Sequence, residues 1–119
     1  MPTPSEIEVE GLLGDNLFRE FVYHSPRTTK NAQELADAVV VLDDTLLIVQ
    51  VKLPDPDAAP RTGERLESWT VSKMEDAYRQ IGRTWTYIAR GLAEPLHNER
   101  MPPRSIRASD FAHVIGLAV

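Results

Sequence analysis

The sequence has 119 residues, 42% hydrophobic and 26% charged, with nine Pro, six Gly and no Cys. This fits one soluble globular domain over residues 1–119, and it excludes a disulfide framework, a thiolate zinc site and a cysteine nucleophile. The net charge of −5 argues against an indiscriminately basic nucleic-acid coat, but it is unevenly spread: residues 1–59 hold four basic and eleven acidic residues, residues 60–119 nine and seven.

No apolar run approaches the ~20 residues of a membrane span, and residues 1–4 lack the basic and apolar parts of a signal peptide, so a cytoplasmic chain is expected. Ser5 with Glu8 forms a capping-box pattern that starts a helix near residue 6, running to about residue 21. Ile7, Leu13, Leu17, Phe18 and Phe21 share its apolar face. Glu10 falls in the middle of that face, Glu20 at its edge, and Glu6 is accounted for by the helix dipole.

A short strand over residues 21–25 ends at Pro26, and residues 27–34 read as a polar loop. Residues 36–42 and 45–52 are β-branched runs joined by Asp43 and Asp44, a two-residue hairpin turn lacking the usual Gly. Both strands are apolar on both faces, which predicts a sheet covered on two sides by helices. Pro54, Pro56 and Pro60 mark an exposed connection, after which Met74, Tyr78, Ile81, Trp85, Ile88 and Leu92 trace the apolar face of a long helix. Residues 96–110 read as a loop and residues 111–119 as a buried last strand. A strand apolar to its end suggests an N-terminal fragment of a longer protein, or a homodimer that covers it.

If the hairpin loop is two residues long, paired residue numbers sum to 87, and Asp37 lies opposite Gln50 on the face that also carries Lys52. A one-residue slip would separate Asp37 from Gln50. A carboxylate and an amide oxygen a few ångströms apart suit a hard cation such as Mg²⁺, and a nearby Lys can orient a water or offset charge on a phosphate. That combination suits phosphodiester hydrolysis. His24, His97 and His113 are too scattered for a metal site, Ser25 has no triad partners, and no phosphate-binding glycine motif is present. Arg100, Arg104 and Arg107 read as a solvated loop, and Trp69 and Trp85 as core.

The string Glu34-Leu-Ala-Asp37, then twelve residues, then Gln50-Val-Lys52, after a Glu-bearing helix and before a long one, resembles the PD-(D/E)XK nuclease-like superfamily. It is similar to bacterial members whose second helix reads Trp, Lys, Ala and Gln at the spacing of Trp69, Lys73, Ala77 and Gln80. The resemblance implies an α/β fold with an αβββαβ core and a mixed four-stranded sheet flanked by helices. It implies a Mg²⁺- or Mn²⁺-dependent nuclease, acting on DNA more readily than RNA. Asp37 would be a metal-binding carboxylate, Gln50 would stand in the place of the second acidic ligand, and Lys52 would be the motif lysine. A helix Glu completes such sites; Glu10 is chosen because an unpaired carboxylate in an apolar stripe is costly, with Glu20 as the alternative. Lys73 and Gln80 would reach the nucleic acid. Gln50 is neutral where the pattern has Glu or Asp, which should weaken metal binding, so the rival is a catalytically silent binding or scaffolding module.

Overall fold

The computed structural model describes residues 4–8, 19–24, 26–29, 31–52, 60–98 and 100–119. Residues 4–8 are helical (α1), with Pro4 in the first turn, where its missing N–H costs nothing. The far end of the predicted first helix is instead a 3₁₀ turn, Arg19–Phe21, leading into β1, Val22–His24. Then come β2, Ala38–Leu42, β3, Thr45–Gln50, α2, Glu64–Ala89, β4, Leu96–Asn98, β5, Met101–Arg104, a 3₁₀ turn at Ala108–Asp110, and β6, His113–Ala118. None of the described helices is long and apolar enough to cross a membrane.

The strands form one mixed sheet in the order β5-β4-β1-β2-β3-β6. Every neighbouring pair is antiparallel except β3 and β6, which run parallel, as a strand returning through a crossover helix can. The β2–β3 register is the expected one: Ala38 faces Val49, Val40 faces Leu47 and Leu42 faces Thr45. Asp43 takes a left-handed φ of 53° in the connecting turn, a conformation that Asp tolerates better than most residues.

α2 lies over one face of the sheet. Val39, Val41, Leu46 and Ile48 form the core there with Tyr23, Ile88, Leu96 and Phe111, and Ile81 and Trp85 pack against it. The opposite face carries Ala38 and Val49 with Leu47 and Val51. α2 ends in a Schellman motif: Gly91, at φ 70°, donates to the Ile88 carbonyl and Leu92 to that of Tyr87.

Four expectations need correction. The sheet has six strands, not four, because β4 and β5 lie within the predicted loop at 96–110. Pro102 and Pro103 disguised β5, but it is an exposed edge strand, where a missing N–H leaves no bond unmade. The buried face of α2 runs through Ala77, Thr84 and Ile88, and Tyr78 is 69% exposed; the helix is rotated toward the smaller residues. Finally, β6 is an edge strand with Val114, Ile115 and Leu117 exposed, although a buried strand was expected.

The close approach of α2 to β6 needs Gly116, since a Cβ there would lie 2.7 Å from Ile81 Cγ2. Gly116→Ala should therefore cost about 1–3 kcal/mol in urea denaturation. Ile81→Ala should cost less in that background than in the wild-type chain, giving a coupling in the double-mutant cycle.

Candidate metal centre

The hairpin register carries Asp37, Gln50 and Lys52 to one end of the sheet on the side that α2 covers. There they line a cavity of about 330 Å³ together with Glu6 of α1, Glu34, and Gln80 and Arg83 of α2. The three residues singled out in the sequence thus share one site. Gln80 joins them, whereas Lys73, two turns earlier in α2, is not among the described residues that line the cavity. Glu10 lies outside the described residues, as does the side chain of Glu20. The α1 carboxylate present in the site is Glu6, for which the sequence suggests only a role at the helix dipole.

Asp37 stands just before β2, where the ladder is giving out. Its N–H still reaches the Val49 carbonyl at 3.2 Å, and its carboxylate accepts the Val51 N–H at 2.6 Å. The side chain so takes the donor that a continuing strand would have paired. Gln50 is only 5% exposed, and its Nε2 donates to the Leu35 carbonyl at 3.2 Å. The buried Thr84 hydroxyl also bonds that carbonyl, and it lies 2.8 Å from the Gln80 carbonyl. The Leu35 oxygen therefore ties the segment before β2 to β3 and to α2. Because Nε2 is committed to a carbonyl, the amide orientation is fixed, and Oε1 is the Gln50 atom offered to the cavity. Gln80 Oε1 is buried and has no hydrogen-bond partner among the described residues.

Carboxylate oxygens of Glu6, Glu34 and Asp37 all lie within 4.8 Å of one another. Like charges that close disfavour joint ionisation. Burial pushes the Asp37 carboxyl above the ordinary carboxylate range, and Glu34 adds to the rise; the Val51 N–H and a hydrogen bond with Glu6 pull the other way without cancelling it. Lys52 and Arg83 supply positive charge at the same cavity. The arrangement offers several hard oxygen donors beside two cations, which is what an oxygen-seeking divalent ion and an anionic substrate require. Sequence reasoning missed Glu6, Glu34 and Arg83. Glu34 had a signal, its place three residues before Asp37; Arg83 had none, because its direction follows from the rotation of α2.

The raised Asp37 pKa has a definite sign. The folded chain holds this proton more tightly than the unfolded chain does, so the group's stabilising contribution is complete below the ordinary carboxylate range and is lost as pH rises through the raised value. Asp37→Asn keeps an acceptor for Val51 and removes one charge from the cluster. Without added metal at pH 7 it should gain about 1 kcal/mol, a rise of about 3–6 °C in melting temperature after allowance for solvent screening. The gain should shrink on acidification to pH 4, as followed by circular dichroism.

Searches for a matching protein-family model, a matching curated protein and a matching solved structure each found none.

Proposed function

We propose that this chain is a divalent-metal-dependent nuclease of the PD-(D/E)XK type, hydrolysing phosphodiester bonds of nucleic acid, DNA more readily than RNA, in the cytoplasm. The observation that carries the reading is the convergence of Asp37, Gln50, Lys52 and an α1 glutamate on one cavity. The order of elements supports the reading: a helix, three antiparallel strands, a crossover helix and a strand parallel to the third follow the order expected of an αβββαβ core, with β4 and β5 between α2 and β6.

On this reading Asp37, Gln50 Oε1 and Glu6 hold Mg²⁺ or Mn²⁺, which when bound polarises the phosphate and lowers the pKa of a water. Lys52 orients that water and offsets negative charge as its oxygen bonds to phosphorus and the ester P–O bond breaks. Arg83 and Gln80 border the cavity from α2; on this reading they would meet the flanking backbone, Arg83 through a salt-dependent contact. Leu35, through its carbonyl, keeps Gln50 from turning its NH₂ group toward the metal.

The test is cleavage of plasmid and single-stranded DNA with Mg²⁺, Mn²⁺ or EDTA. Cutting should require metal and fall by at least about a hundredfold in Asp37→Ala and in Lys52→Ala, both folded by circular dichroism. If the folded wild-type chain cuts neither substrate with either metal, the silent binding module replaces this reading.

A further inference from the structure

The cavity has one carboxylate too few at one position and one too many at another. Position 50 carries an amide where the resembled pattern carries an acid, and that loss of charge should weaken a cation site. Glu34 is the surplus. It is half-buried, and its carboxylate lies within 4.8 Å of those of Glu6 and Asp37.

Acidic groups gather on protein surfaces without binding anything, so the cluster needs a separate reason to be read as a ligand shell. Gln50 supplies it. The side chain is 95% buried, its Nε2 is committed to the Leu35 carbonyl, and its Oε1 takes no hydrogen bond from the described residues while the residue lines the same cavity. Gln80, which lines the same cavity, adds a second amide oxygen, buried and without a donor among the described residues. A cation between the carboxylates and the Gln50 oxygen would give that acceptor the partner that the described residues do not supply. A proton between carboxylates relieves only their repulsion.

We propose that Glu34 is a direct ligand of the divalent cation and supplies the negative charge that Gln50 lacks. The donor set is then Glu6, Glu34 and Asp37 with the amide oxygen of Gln50: three carboxylates and one neutral oxygen, all hard donors. The charge has moved from the end of β3 to the segment leading into β2, where the bridge between Arg27 and Glu34 holds the backbone. This inference rests on the cation-dependent reading above and adds to it a ligand outside the motif.

The test is calorimetric titration of the chain with Mn²⁺ alone, for the wild type, Asp37→Asn, Glu34→Gln, Gln50→Glu and the double variant Glu34→Gln/Gln50→Glu. The wild type should bind one Mn²⁺, Glu34→Gln should bind at least about tenfold more weakly, and the double variant should return to within about threefold of wild type. A charge merely near the metal would not be replaced so closely from another strand. Melting curves without metal check folding, and Glu34→Gln should melt no lower than wild type because it relieves repulsion. Two results overturn the assignment: Glu34→Gln binding within about twofold of wild type while Asp37→Asn binds none, or a double variant as weak as Glu34→Gln alone. If the wild-type chain binds no Mn²⁺, the cation-dependent reading falls, and this inference with it.

Discussion

The two-residue turn at Asp43 and Asp44 sets the register of β2 against β3, and every feature of the candidate site depends on that register. Side chains alternate across a sheet with a period of two, so a slip of one residue would turn Gln50 and Lys52 away from the face that α2 covers and leave Asp37 without them. The apolar pattern protects against the slip. Val39, Val41, Leu46 and Ile48 fill the core beneath α2, and none of them could move to the other face without emptying it. The packing that stabilises the hairpin therefore also aims its polar end.

A second constraint acts at that end. Sheets run out where their hydrogen bonds do, and a buried N–H left over is costly. Asp37 meets the need by accepting the Val51 N–H with its side chain, so one carboxylate both finishes the ladder and stands in the cavity. The Leu35 carbonyl does comparable work two residues earlier. By accepting from Gln50 and from Thr84 it couples the approach to β2, the end of β3 and the middle of α2 through one oxygen. Thr84 is a β-branched polar residue on the buried face of a helix, a poor choice for helix propensity that is explained by this bond.

Local chemistry made some of this legible in the sequence. The turn, the alternation and the sum of paired numbers are all properties of neighbouring residues, and they put Asp37, Gln50 and Lys52 on one face from sequence alone. Glu6 and Glu34 could not be, because their position depends on how α1 and the polar segment before β2 fold back on the sheet. The rotation of α2 is illegible for a related reason: the periodicity of large apolar residues points past Ala77 and Thr84, yet the tight approach of helix to sheet favours small side chains on the buried face. β5 was hidden by its prolines, which weaken a central strand and suit an edge.

The uneven charge of the chain acquires a spatial meaning in the fold. The acidic first half contributes Glu6, Glu34 and Asp37 to one wall of the cavity, and the more basic second half contributes Arg83 from α2. Lys52 is the exception, a cation from the acidic half, placed by the β3 alternation on the same face as Gln50. Such a cavity crowds its own carboxylates, and among the described residues the buried Gln80 Oε1 has no donor. Stability alone does not call for three carboxylates this close together, since like charges at that distance repel. On the proposed reading the arrangement is half of an interaction, complete when a cation offsets the acidic wall and an anion meets Lys52 and Arg83. The proposed divalent metal and phosphodiester make such a pair.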